Sequence, residues 1–550
     1  MISGKKVVIA MSVMGMAIAF SLGILTRPGV EDADSSSFSA IRAAQDIEVI
    51  SREPHSLENP GARLRVREYL AERLKEIGFE VEIMEYDSVK MRSGSYTSIS
   101  NIHATAHPLK GNASQALVMI AHYDSRHTFR AAGETHLSYG AADDGYGLGV
   151  ILETARLAMN YRDKWKQEFR IIFTDAEENR LDGIRKALEN EPHFFSNAGL
   201  AINIEARGVK GPAILFETSA GNERLVELYG KADYPYSYSL TSAIYRVLPN
   251  DTDFSPVKES IPGFNFSVID NLDYYHTKHD NFSNISLASL QHYGSQIQPI
   301  TREFLTGEKY SEPMYLKGER DLVYFTVPFT GIISFSKSGY TVLNILMLII
   351  SLLSVVSAFK KRGVAGRGFF SALTTSIFAS ALIPLIAYLG TRAICLVNDA
   401  PYRLISLAHL RFDEVFNILF ISAIIPVIFS LGKAGLKRRL FSESELAASS
   451  VTIMSVFTLV LLIATGENFF ILVPLLFSLI SFNSGEGILS RYTALAGVVL
   501  TLLTVTPLIY SIQVALGSGA LFITVFYMVL LALSIVPASY TFTRKVAKSN

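Results

Sequence analysis

The chain has 550 residues, 49% of them hydrophobic, with fifty basic residues against fifty acidic ones and a mean hydropathy of +0.29. Zero net charge excludes a protein organised around nucleic acid, whose phosphates call for a basic footprint. A single cysteine, Cys395, excludes an internal disulfide or a cysteine-built zinc cluster.

The apolar excess is uneven. Residues 31–321 are rich in charge, His, Asn and Gly, whereas 332–540 are dominated by Leu, Ile, Val, Phe and Ser, which assigns one part of the chain to water and another to lipid. In chain order, Val7–Leu25 comes first: nineteen uncharged residues, enough for a membrane-spanning helix, preceded by Lys5 and Lys6 and followed by no small-residue cleavage site. It reads as an uncleaved signal anchor with its N-terminus in the cytoplasm, sending the next segment of the chain across the membrane. A helix is expected over ARLRVREYLAERLKEI, where Val66, Tyr69, Leu70, Leu74 and Ile77 share a face and Gly78 suits the C-terminal cap. Strands are expected in FEVEIMEY, SISNIHATA, ALVMIAHY, FRIIFTD, LAINIE, AILFET and FNFSVI, with helical stretches after Gly145, Asn179 and Asn222. Such alternation, with several strands apolar throughout, predicts an α/β fold: a mixed, largely parallel central sheet sandwiched by helices.

An all-α multispan region comes next, with seven candidate spans near 338–359, 369–390, 413–431, 448–465, 468–483, 492–512 and 517–539. Basic runs at 360–367, 433–439 and 543–550 come after the second, fourth and eighth spans of the chain, so alternation from an inside N-terminus puts all three in the cytoplasm. The span at 468–483 is short and a candidate re-entrant segment. None carries Asp, Glu or Lys at its centre, which favours an anchor or scaffold over a transporter. The expected domains are an anchor at 1–27, an extracytoplasmic catalytic domain at 28–320, a linker at 321–337 and a membrane domain at 338–550.

Open parallel sheets hold ligands beyond the carboxyl ends of their strands. ALVMIAHYD ends in His122 and Asp124, FRIIFTDAEE in Asp175, Glu177 and Glu178, and LAINIEARG in Glu205. With Asp143 from GAADDGYG and His276 from YYHTKHDN, five imidazole and carboxylate ligands are available: His122, Asp143, Glu178, Glu205 and His276. These are too many for one catalytic zinc but suit two, with Asp143 in its glycine-rich turn as the bridge and Glu177 as general base. Singly each residue has a plainer role: a strand-end histidine is often structural, an EE pair suits a first helical turn, and DD suits a turn. Their convergence on one sheet edge favours a site.

The segments AHYDS, GAADDGYG, FTDAEENRLDG, NIEARG and YYHTKHDN resemble the five ordered motifs of the co-catalytic di-zinc aminopeptidases of metallopeptidase family twenty-eight. The layout of a peptidase domain followed by many spans resembles that family's membrane-bound members of fungal vacuoles and the endoplasmic reticulum. The motifs cover roughly residues 45–305; REPHSLEN and DLVYFTVPFTGIISFS resemble the flanks of those members. The resemblance implies one zinc on His122, Asp143 and Glu205 and a second on Asp143, Glu178 and His276. It also implies Glu177 as catalytic base, Asp124 as the acid that fixes the His122 tautomer, and a cis Asp143–Asp144 peptide. Glu205 stands where many soluble members have Asp, and Tyr146 where a small Ser is common; Asp253 matches a recurrent acid with a substrate-side or structural role.

The function implied is a membrane-anchored di-zinc metallo-exopeptidase, an aminopeptidase acting on peptides outside the cytoplasm, with peptides and the lipid bilayer as partners. A glutaminyl cyclase or carboxypeptidase-type relative, or a non-catalytic binding module on the same fold, are the alternatives. Sequons at Asn112, Asn250, Asn281 and Asn284 fit either a periplasmic face or an organelle lumen; the lack of disulfides favours a bacterial inner membrane.

Overall fold

The seven expected strands pair in one sheet, together with four short strands elsewhere. In a computed structural model, which describes residues 4–127, 129–131, 134–245, 251–328, 330–405, 410–485 and 487–543, they are β1 (Glu80–Lys90), β2 (Tyr96–Ala106), β3 (Ala116–His122), β4 (Phe129–Ala131), β5 (Glu134–His136), β6 (Glu168–Thr174), β7 (Ala198–Ala206), β8 (Ile214–Thr218), β9 (Gly263–Val268), β10 (Leu322–Val327) and β11 (Gly331–Ser336). The sequon at Asn250 and the basic tail at 544–550 lie outside the described residues. The described residues fall into two compact units, one of them Thr26–Ser336.

In that unit the sheet order is β1-β2-β6-β3-β7-β9-β8. β6, β3, β7 and β9 run parallel, and β1, β2 and β8 close the two edges antiparallel. β3 and β6 are buried along their whole length, as strands covered on both faces must be. Alternation divides their side chains: Leu117, Met119 and Ala121 face a core built with helices Ala40–Ile50, Pro60–Ile77, Gly145–Met159 and Leu287–Thr306. Val118 and Ile120 face a second core with Ile184, Ala187, Phe194 and Phe254. Helix Pro60–Ile77 buries Val66, Leu70 and Leu74 and stops at Gly78, whose φ of 109° lets its N–H reach the carbonyls of Leu74 and Lys75. Residues 321–337, expected as a linker, contain the antiparallel hairpin β10–β11, tied to the unit by a bridge between Phe325 and Tyr238. Its alternating aromatic and β-branched residues suit a strand whatever its place between two regions.

The remaining residues form helices. Among the described residues seven are long and apolar enough to cross a membrane: Gly4–Ile24, Lys337–Lys361, Gly366–Val397, Asp413–Lys437, Glu443–Thr465, Ile488–Leu516 and Ser518–Thr543. The eighth apolar helix, Phe469–Asn483, has fifteen residues and is shorter than a bilayer requires. At one end of this bundle Lys6 lies 5.9 Å from the Phe542 ring centre, Arg362 reaches the Phe482 carbonyl and Asn483, and the Ala365 N–H meets Glu445 at 3.0 Å. Towards the other end Asp413 accepts from Ser518 (2.8 Å), and Asn468 links Tyr340, Asn344 and the Thr458 carbonyl. Helix Gly4–Ile24 therefore starts at the basic end and helix Lys337–Lys361 finishes there.

The turn after β6 depends on a close approach. A Cβ on Gly183, in helix Asp182–Asn190, would sit 2.2 Å from the Asp175 carbonyl oxygen and 2.7 Å from Asn101 Oδ1. In an exposed helix Gly→Ala stabilises by about 1 kcal/mol. Here Gly183→Ala is expected to destabilise by about 1–3 kcal/mol through overpacking, read as a lower Tm of the full-length protein in detergent; an unchanged Tm would show that the strand end yields freely.

Candidate metal centre

Parallel register brings the chemistry to one edge. His122 at the end of β3 pairs with Thr174 at the end of β6, and Glu205 lies near the carboxyl end of β7, the strand on the other side of β3. Asp143 reaches the same place from the turn before helix Gly145–Met159, and His276 from the turns after β9. Asp143 Oδ1 is 3.2 Å from His122 Nε2 and its Oδ2 is 3.1 Å from His276 Nε2. Glu205 Oε2 approaches His122 Nε2 to 3.8 Å, and Glu178 Oε1 approaches His276 Nε2 to 2.9 Å. The result is two triads that share Asp143, with the ligand atoms of each within 4.8 Å of one another: His122, Asp143 and Glu205, then Asp143, Glu178 and His276.

The backbone that delivers these groups is held in unusual conformations. Ala176 and His276 both have φ near 60°, in the left-handed region that side chains other than glycine rarely occupy. Ala176 turns the chain sharply out of β6 into the short helix Glu177–Arg180, so the EE pair is both a first helical turn and part of the cluster. Asp124 fixes that turn: its carboxylate accepts the N–H groups of Glu177 (3.0 Å) and Glu178 (3.3 Å). His122 Nδ1 pairs with the Asp124 main-chain oxygen at 2.9 Å and lies 3.6 Å from its carboxylate. Asp124 therefore orients the ring mainly through its backbone and the acid pair through its side chain.

Other residues hold the ligands. Asp144 accepts from Gly147 N–H (3.0 Å) and His122 N–H (3.3 Å), tying the helix start to β3; a Cβ on Gly147 would lie 2.3 Å from that carboxylate. The Asp143–Asp144 peptide is cis. Asp280 accepts from Ser138 Oγ (2.9 Å), Ala142 N–H (2.7 Å) and Asp143 N–H (3.3 Å), fixing the bridge candidate's backbone. Arg126 Nη1 donates to Glu178 Oε2 (2.8 Å) and to the Glu178 carbonyl (2.7 Å), which leaves Oε1 for the triad. Asn203 does the same for Glu205, donating to Oε1 at 3.3 Å. The Tyr146 hydroxyl donates to the Val209 carbonyl and accepts from Ser286 N–H (2.7 Å); a buried phenol braces this wall where a small residue would leave a void.

Burial dominates the electrostatics. It pushes the Glu205 carboxyl up to about 8 and the Glu177 carboxyl well above its ordinary value, against the pull of His122. Burial also opposes charge on His276 and Asp143, but contact outweighs it: Glu178 and Asp143 raise His276 to about 9, and the two imidazoles lower Asp143. Each Nε2 faces two carboxylate oxygens and carries at most one proton, so one proton cannot satisfy either triad fully. A divalent cation meets all three donors at once, and the nitrogen and oxygen donor set is the one zinc takes. The residues present fit two such ions.

All seven residues expected at the site, His122, Asp124, Asp143, Glu177, Glu178, Glu205 and His276, lie at or beside the two triads. Asp175 turns away, accepting from Ser100 N–H (2.9 Å) and facing Arg63 at 3.4 Å. Asp253 is buried and accepts from Thr174 Oγ1, close enough to the cluster to act electrostatically on Glu177 and Glu205. Arg126, Asp280 and His55 escape a reading of the sequence. Asp280 carries a signal, as the acid four residues after His276. His55 lies in REPHSLEN, singled out only as a flank, and packs against Gly140, whose Cβ would meet its ring at 3.0 Å.

Residues 101–301 match the model of peptidase family M28. Endoplasmic reticulum metallopeptidase 1 of Homo sapiens is 26% identical over 332 residues, 56% of this chain and 35% of its own. Vacuolar membrane protease of Candida dubliniensis (strain CD36 / ATCC MYA-646 / CBS 7987 / NCPF 3949 / NRRL Y-17841) is 29% identical over 363 residues, 63% of this chain and 37% of its own. The chain thus matches about a third of the length of these relatives. Among solved structures, an aminopeptidase from Aneurinibacillus sp. strain AM-1 covers 48% of this chain and 94% of its own at 17% identity and a TM-score of 0.38, a likeness too slight to speak for activity. Over residues 101–301 the chain carries the M28 peptidase pattern, related at low to moderate identity to endoplasmic reticulum and vacuolar membrane metallopeptidases.

Proposed function

We propose that this chain is a membrane-anchored di-zinc exopeptidase, an aminopeptidase that removes N-terminal residues from peptides outside the cytoplasm. The observation that carries the reading is the pair of triads sharing Asp143, with Glu177 next to Glu178 on a turn fixed by Asp124. His122, Asp143 and Glu205 would hold one zinc and Asp143, Glu178 and His276 the other, Asp143 bridging. Two such ions supply Lewis acidity for the scissile carbonyl and acidify water at the site.

The chain's own residues do the rest. The Glu177 carboxylate takes the proton of the attacking water and returns it to the departing amine, so one side chain acts as base and then acid. Its buried setting holds protons more firmly than an exposed glutamate, which suits that exchange. Asp124, Asp280 and Arg126 keep the acids and imidazoles oriented, and a fixed geometry lowers the entropy lost on the way to the transition state. The aminopeptidase assignment rests on the likeness of the five motifs. The basic end of the helix bundle supports a cytoplasmic face there, with both connections to residues 26–336 leaving from the other end. The lone Cys395 sits in a membrane helix, and we place the peptidase unit on the periplasmic side of a bacterial inner membrane.

Glu177→Gln is expected to lower peptide hydrolysis by about 10²–10⁴-fold with zinc content unchanged; activity near the parent's would remove Glu177 from the mechanism. Peptides with an acetylated N-terminus are expected to resist the parent enzyme, and their cleavage would favour a carboxypeptidase. Arg126→Met frees Glu178 Oε2 and is expected to weaken the second zinc by about 10–100-fold, measured by competition with a fluorescent chelator; two equally tight ions in the variant would show that Arg126 does not position Glu178.

A further inference from the structure

The membrane helices form a polar, partly open cavity of about 770 Å³ at their basic end. It lies between the starts of helices Glu443–Thr465 and Ile488–Leu516, the ends of Phe469–Asn483 and Ser518–Thr543, and the turn at Arg362. Its size is that of a ligand pocket, and its wall carries Ser478, Ser534 and Thr541 beside Phe482 and Val451.

One group on this wall points to a missing partner. Arg491 lines the cavity, and among the described residues its guanidinium makes no hydrogen bond or ion pair. A guanidinium without an internal partner on such a wall selects an anion. The second cation, Arg362, is already fixed on the Phe482 carbonyl and Asn483, and one acid, Glu443, shares the wall. Basic pockets between membrane helices on the cytoplasmic side take anionic head groups.

We propose that this cavity binds a phosphodiester bearing a hydroxylated head group, with the phosphate on Arg491 and the head-group hydroxyls on the serines. The source is an anionic phospholipid such as phosphatidylglycerol: apolar Val451, Phe482 and Ala538 share the wall with the polar groups, as an amphiphile requires. The proposal does not depend on the peptidase reading, since neither zinc nor hydrolysis enters its readout.

The test uses the full-length protein, delipidated in detergent, with ligand retention followed by native mass spectrometry and Tm by thermal unfolding. Phosphatidylglycerol is expected to bind and raise Tm where phosphatidylcholine does not. Arg491→Gln is expected to weaken binding roughly ten-fold or more, and Arg491→Lys to recover part of it. If glycerol phosphate alone gives the full effect and Arg491→Gln abolishes it, the phosphate site stands and its ligand comes from water. Equal phosphatidylglycerol binding by the parent and Arg491→Gln, or no effect of either ligand, would overturn the proposal.

Discussion

Asp143 offers one oxygen to each of two imidazoles, and the residues around it keep that carboxylate in place. Its backbone N–H is fixed by Asp280. Its neighbour Asp144 ties the following helix to β3, so the carboxylate cannot shift without moving the strand that carries His122. Loss of the Asp143 position would separate the two triads, because among the described residues no other belongs to both.

Gathering so many acids under cover has a cost, and the fold distributes it. Each outer carboxylate gives one oxygen to the cluster and the other to a neutral or cationic donor: Glu205 to Asn203, Glu178 to Arg126. The acids that do not serve the triads are bound elsewhere, Asp175 beside Arg63 and Ser100, Asp253 on Thr174. Buried carboxylates survive in proteins when hydrogen bonds or opposite charge replace the lost water. Here those partners come from β2, β6, β7, the loop after β3 and, for Arg63, helix Pro60–Ile77, so the central sheet is the main scaffold of the electrostatics as well as of the geometry.

The membrane helices obey a related rule. Their interiors lack charge, but polar contacts occur towards both ends: Tyr340, Asn344 and Asn468 at one, Arg362, Glu445 and the cavity wall at the other. In lipid an unpaired polar group is expensive, so polar side chains collect where they pair with one another or meet water. The short helix Phe469–Asn483 fits this arrangement, since Asn468 closes its start against two neighbouring helices.

The sequence by itself determined the features that depend on local pattern. Strand-like segments of six to nine residues, several of them apolar throughout, marked the seven sheet strands, a helical stripe marked Pro60–Ile77, and long uncharged runs marked the membrane helices. Strand-end His122, Glu178 and Glu205 also exposed part of the candidate ligand set, because a parallel sheet sends the ends of β3, β6 and β7 to one edge whatever its exact order. Tertiary structure decided everything that depends on which distant residues meet. It alone pairs Arg126 with Glu178 across 52 positions and Asp280 with Ala142 across 138. It turns Asp175 away from the cluster its neighbours enter, and it sets Arg491 and Arg362 on the wall of one cavity from distant parts of the chain. Periodicity reports which face of an element is buried; the partner across that face is set by packing, which no single segment encodes.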